Sequence, residues 1–254
     1  MFTGFNVEIE FSCETTYNKE KYYDIGLKQY DKLKKDISTN ISNLINNDKI
    51  DGDALQNLWF PTDLFKTNKY IFISHSHKDE KSAVELAGYL QETFGILSFI
   101  DSCVWGNIID LNRQLNECSL DKLNYCTHCQ CAPFSQNLAY VHMMLSSALM
   151  TAIDKCECMF FLNTPSSINI HNKTESPWIY YELNIANIIE KKRPIEKRGR
   201  TGDVNNLLLE NVEFTANIKN MPKLTYNDLD EWRKCYEWKI CTDPFEALYK
   251  IAKK

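Results

Sequence analysis

The run Tyr70-Ile71-Phe72-Ile73-Ser74 is continuous, apolar and rich in aromatic and β-branched side chains, which is how a buried parallel strand reads. Ser76-His77-Lys78-Asp79 resembles a capping box, and Ala83, Ala87, Leu90 and Phe94 then share one face of a helix that Gly95 ends. Ile96-Leu97-Ser98-Phe99-Ile100-Asp101 is the next strand. Strand, helix and strand in about thirty residues make a βαβ unit, so the chain carries a parallel sheet with a right-handed crossover.

Working outward, the pattern repeats. Val141, Met144, Leu145, Ala148 and Ala152 recur at helical core spacing, and Met159-Phe160-Phe161-Leu162 is a third buried strand. The polar loop Asn163-Thr164-Pro165-Ser166-Ser167 follows it. A helix then opens at Ser176-Pro177-Trp178-Ile179-Tyr180-Tyr181-Glu182, with Ser176 as N-cap and Pro177 at the first helical position. Alternating strands and helices indicate a doubly wound α/β class. Between the second strand and the second helix, Ser102-Cys103-Val104-Trp105-Gly106-Asn107 reads as a loop and about 108 to 137 as an irregular insertion.

The flanks differ from this middle part. Leu27, Tyr30, Leu33, Ile37, Ile41, Leu44 and Ile45 describe one long amphipathic helix, and a short helical piece closes at Phe60-Pro61, so 1–68 is expected to be a helical extension. After a basic loop from Lys191 to Arg200, helices are expected from about Asn227 and over Phe245 to Ile251. The 254 residues carry a net charge of −5, which argues against a general nucleic-acid binder. No apolar run reaches the roughly 20 residues of a membrane span. The opening Met1-Phe2-Thr3-Gly4-Phe5-Asn6 lacks a signal-peptide pattern, so a cytoplasmic location is expected.

Glu182 is the odd residue of its helix. Trp178, Ile179, Ile185 and Ala186 surround it at helical spacing, so its carboxylate stands on the stripe that faces the protein. Either it snorkels to water or a lysine at the edge of the stripe, or it is a functional acid. In open α/β sheets ligands bind beyond the carboxyl ends of the strands. Those ends carry Ser74-His75-Ser76-His77, then Asp101 with Trp105 and Gly106, then Asn163-Thr164. A carboxylate with a polar rim and aromatic platforms suits a nucleotide or sugar better than a peptide. The P-loop, dinucleotide-binding glycine and nucleophile-elbow motifs are missing. Cys118, Cys126, Cys129 and Cys131, with His128 among them, are read as free thiols or as a zinc site of the insertion. Cys156 and Cys158 read as core.

Three of these motifs, in order, resemble a known family. Ile71-Phe72-Ile73-Ser74-His75-Ser76-His77-Lys78-Asp79 is similar to the first sequence box of TIR (Toll/interleukin-1 receptor) domains. Phe99-Ile100-Asp101 and the glycine-containing loop after it look like their second strand and BB loop. Ser176 to Leu183 resembles the W-x-x-x-E segment, here Trp178 and Glu182, of TIR enzymes that cleave NAD⁺.

The resemblance covers about 69 to 190 and implies a flavodoxin-like fold, with a TIR domain over 69–254, an N-terminal helical extension, an insertion at about 108–137 and C-terminal helices. It implies Glu182 as the carboxylate that breaks the nicotinamide–ribose bond, with Ser74, His75 and Asp101 as binding groups and Trp105 stacking on a base. Trp178 either walls the site or packs in the core. His142 either contacts the site or packs at a helix start. NAD⁺ is then the substrate and no further cofactor is needed. Related bacterial proteins of Thoeris-type anti-phage systems make an ADP-ribose-derived signal for a separate effector, and TIR sites are commonly completed by a neighbouring copy. A non-catalytic TIR assembly module is the alternative, and base exchange by a deoxyribosyltransferase-like fold a more distant one.

Overall fold

The computed structural model describes residues 3–8, 18–33, 45–46, 49–62, 65, 70–105, 108–120, 131–189, 214–216, 218, 221–241 and 243–251. The chain forms two compact units. The first takes Met1–Gln29, Lys69–Ile100 and Ile153–Lys254, and the second takes Tyr30–Asn68 and Asp101–Ala152.

The first unit holds the sheet. Its strands are β1 (Thr3–Glu8), β4 (Tyr70–Ser74), β5 (Leu97–Phe99), β6 (Cys158–Leu162) and β9 (Lys223–Thr225), in the spatial order β5-β4-β6-β1-β9. Every pairing in it is parallel. The sheet and its flanking helices make an α/β flavodoxin-like fold. Every residue of β4 and β6 is buried, as expected of strands covered on both faces.

Register fixes which side chains share a face. Ile73 and Phe5 both stand opposite Phe160, so Ile71, Ile73, Phe160 and Phe5 lie on one face. Over that face lie α3 (Glu80–Phe94), α8 (Tyr226–Glu237) and α9 (Pro244–Ile251). Phe94 of α3 stacks on Trp232 of α8 with ring centroids 3.9 Å apart, and Trp232 meets Phe160 edge-on. The Trp232 indole N–H donates to the Pro244 carbonyl at 2.8 Å, so the ring is both packed and satisfied. The opposite face carries Phe72 and Ser74 of β4, Met159 and Phe161 of β6, and Gly4, Asn6 and Glu8 of β1. There α7 (Pro177–Ile188) packs against β1.

Several sequence expectations hold. Gly95 ends α3 at φ 68, a left-handed turn that costs glycine little. Ser176 caps α7 by accepting from the Ile179 N–H, with Pro177 at its start. Thr225 and Asp228 cap α8 reciprocally.

Others are corrected. Residues 3–8 are not part of a helical extension; they form a strand between β6 and β9. Counting from β4, the lanes of a flavodoxin-like sheet run second, first, third, fourth, fifth. Here the fourth lane is filled by the chain's first strand. Its glycine and asparagine have low β-propensity, and two parallel neighbours supply what the local sequence does not. The long helix expected over Leu27 to Ile45 is described as α1 (Lys19–Leu33); Ile45 belongs to the small antiparallel pair β2 (Ile45–Asn46) and β3 (Lys49–Ile50), and 34–44 lie outside the described residues. The Ser76–Asp79 capping box does not form, because the Ser76 side chain makes no cap bond and 77–79 is a single 3-10 turn. The remaining short strands, β7 (Lys173–Thr174) and β8 (Phe214–Thr215), pair antiparallel.

The second unit is mostly helical, with α2 (Gly52–Trp59), α4 (Asp101–Val104), α5 (Ile108–Leu120) and most of α6 (Cys131–Lys155). The stretch read as an irregular insertion is thus largely helix: Leu111 and Leu115, buried one turn apart, anchor α5. Residues 106, 107 and 121–130 lie outside the described residues, as does the basic loop from Lys191 to Arg200.

Within the first unit, α1 crosses α3 at two glycines. A Cβ on Gly88 would stand 1.8 Å from the Tyr22 carbonyl oxygen, and one on Gly26 would stand 2.2 Å from that of Val84. Both obstacles are backbone, so neither can swing away. Alanine gains about 1 kcal/mol of helix propensity over glycine, but overpacking against backbone costs about 1–3 kcal/mol or more. With backbone only 1.8 Å away the cost falls at the upper end, so Gly88→Ala is expected to lower stability by about 2 kcal/mol or more in a urea titration, and a variant as stable as the wild type contradicts the close crossing.

Candidate functional site at the switch in strand order

From β4 the chain turns through α3 to β5 on one side, whereas β6 lies on the other side of β4. The loops leaving β4 and β6 therefore diverge to opposite faces, and the crevice between them is where open α/β sheets bind ligands. Ser74 is the last residue of β4, and strand alternation turns its side chain to the α7 face.

The buried residues of α7 are Ile179, Glu182, Leu183 and Ala186. Their spacing describes one stripe with Glu182 at its centre, turned slightly from the stripe expected through Trp178 and Ile185, both of which are half-buried. Glu182 is 4% exposed, so it does not snorkel to water. The Ser74 hydroxyl donates to its Oε2 at 2.5 Å. Burying a carboxylate costs several kcal/mol unless donors replace water, and a short hydroxyl–carboxylate bond is a strong replacement. This bond joins residues 108 positions apart, the end of β4 to the second turn of α7.

Further polar side chains stand at the carboxyl ends of these strands. Thr164 Oγ1 donates to Asp79 Oδ2 at 2.5 Å, and Ser167 Oγ donates to the same oxygen at 3.5 Å. Thr164 Oγ1 also accepts from the Ser166 and Ser167 N–H groups, which rounds its loop into a turn. Asp79 thus ties the loop after β4 to the loop after β6. On β1, Glu8 Oε1 accepts from Asn6 Nδ2 at 3.2 Å and from Asn163 Nδ2 at 3.4 Å, and Lys223 forms an ion pair with Oε2. Sequence reasoning missed Glu8, Asn6 and Lys223. The alternation of Asn6, Glu8 with Phe5, Val7 was a strand signal, but too short to stand out beside glycine.

No family model matches the chain, and no curated protein and no solved structure matches it either.

The other expected site residues are placed as follows. His75 follows Ser74 at the crevice and is half-buried. Trp178 lies in the first turn of α7, half-buried beside the stripe. Asp101, Trp105 and His142 belong to the second unit. Asp101, expected at the end of the second strand, instead opens α4, because β5 ends at Phe99. Trp105 is 4% exposed, donates its indole N–H to the Pro61 carbonyl at 3.2 Å and meets Phe60 edge-on, so it packs a core instead of offering a face for stacking. His142 is exposed in the middle of α6, not at a helix start. The side chains of Cys118 and Cys131, and Cys126 and Cys129 altogether, lie outside the described residues. Among the described residues, no group of three or more His, Cys, Asp or Glu side chains is set to hold a metal. Cys156 and Cys158 are core residues, and burial pushes both thiols well above the usual cysteine range.

Thr164→Val removes the bond to Asp79 and two amide partners at once. Hydrogen exchange at the Ser166 and Ser167 amides is expected to quicken, with a stability loss of about 1 kcal/mol. Unchanged protection there contradicts the tie between the two loops.

Proposed function

We propose that the chain is a TIR-type NAD⁺ glycohydrolase or cyclase, with Glu182 as the catalytic carboxylate and Ser74 as the group that orients it. The observation that carries this reading is the buried Ser74–Glu182 pair at the switch in strand order. The ordered TIR-like motifs support it, since Ser74 lies in the first and Glu182 in the last.

The chemistry asks for little more than one well-held anion. Nicotinamide leaves as a neutral molecule, because its pyridinium nitrogen is cationic in NAD⁺ and takes the electron pair of the broken C–N bond, so no general acid is needed. The ribose is left with oxocarbenium character, and a carboxylate fixed in a dry site stabilises that charge more than one in water does. Water attack at the anomeric carbon gives ADP-ribose and a proton; attack by the substrate's own adenine gives a cyclic product. The hydrogen bond from Ser74 fixes the plane of the carboxylate. With Glu182 4% exposed, its surroundings have to open for a ribose to reach it.

His75 and Trp178 are binding groups in this reading. The product is an ADP-ribose-derived signal for a separate effector, in anti-phage defence and in the cytoplasm, with self-assembly through TIR surfaces. Among the described residues, no helix is long and apolar enough to cross a membrane.

Nicotinamide release from NAD⁺ tests the proposal. The Glu182→Gln variant, which keeps the shape and loses the charge, is expected to be at least about 100-fold slower than wild type. Equal release from both removes Glu182 from the chemistry. Release from neither, with or without self-association, favours the non-catalytic assembly module.

A further inference from the structure

The second polar cluster on the α7 face has a composition of its own. Glu8 and Asn163 are neighbours on that face at the carboxyl ends of β1 and β6, with Asn6 one step back on β1 and Lys223 opposite Asn6 on β9. The Glu8 carboxylate is 37% exposed, so it is open to solvent while held by three partners.

Asn6 supplies a second, independent observation. It is 7% exposed, and its Nδ2 is committed to Glu8. Turning the amide over would set its oxygen against the carboxylate, so the assignment is fixed by charge. Its Oδ1 is then a buried acceptor without a donor. Buried polar atoms are nearly always paired, and an exception at a strand end beside an open carboxylate calls for a donor from outside the chain.

A hydroxyl is both donor and acceptor. Glu8 and Asn6 Oδ1 supply acceptors, while Lys223 and the Asn163 amide supply donors. Two adjacent hydroxyls can engage both kinds, reaching Asn6 directly or through one water. Two strand lanes and two residues of rise separate Ser74 from Glu8, about 12 Å. That is the scale of the separation between two riboses joined through a pyrophosphate.

We propose that Glu8, with Asn6, Asn163 and Lys223, is a recognition site for a vicinal diol, taking the adenosine ribose of a dinucleotide whose other ribose lies at Glu182. The choice of ligand rests on the NAD⁺ reading; the diol chemistry rests on the cluster. The site exists because the first strand occupies the fourth lane, which brings residue 8 beside residue 163.

Calorimetric titration with AMP and with 2′,3′-dideoxy-AMP tests the site without using the reaction. Wild type is expected to bind AMP at least about 10-fold more tightly than the dideoxy compound, the effect of one lost charge-assisted hydrogen bond. Glu8→Gln is expected to bind both with the same, weaker affinity. Lys21→Gln breaks an exposed ion pair with Glu92 that is not part of the cluster, so it is expected to retain discrimination, which separates diol recognition from a general loss of stability. Equal binding of the two compounds by wild type, no binding of AMP, or discrimination that survives Glu8→Gln overturns the proposal. A wild type that discriminates them yet releases no nicotinamide keeps the diol site and sinks only the glycohydrolase reading.

Discussion

A carboxylate cannot be taken out of water without something to replace the water, and the Ser74–Glu182 hydrogen bond is that replacement. It sets the register between strand β4 and helix α7, because only one turn of the helix can bring Glu182 over the end of the strand. Two glutamates are buried among the described residues, and the contrast is informative. Glu85 lies on α3, where burial pushes its carboxyl above the usual range while Lys19 and Lys81 pull it partly back. Nothing about its place on α3 suggests chemistry. Glu182 differs by its partner and its position: a hydroxyl at a strand end, at the point where the strand order reverses.

The parts of the fold that were legible in the sequence are those whose local signal and tertiary environment agree. Tyr70 to Ser74 and Met159 to Leu162 are apolar throughout because both faces of these strands are covered. Gly95 and Ser176 mark helix ends by chemistry that acts within one turn. Glu182 was visible as a misfit against its helical neighbours, but its partner was not, since a contact between residues 74 and 182 leaves no local trace.

The parts that were not legible depend on neighbours. Strand β1 has little β-propensity and is held by β6 and β9. Helix α5 was hidden because, among its described side chains, Leu111 and Leu115 alone are buried, among many polar residues. Trp105 beside a glycine looked like a ligand platform, yet its burial and its bond to the Pro61 carbonyl make it a packing residue. The missing first strand mattered most, because it carries Glu8 to the same sheet edge as Ser74 and widens the candidate site from one carboxylate to two.

A double-mutant cycle on unfolding stability, with Ser74→Ala, Glu182→Gln and the pair, measures the central interaction directly. A hydrogen bond to a buried carboxylate predicts a coupling of about 1.5–3 kcal/mol between the two positions. Effects that add, with coupling within about 0.5 kcal/mol of zero, would contradict the pairing on which this account of the site rests.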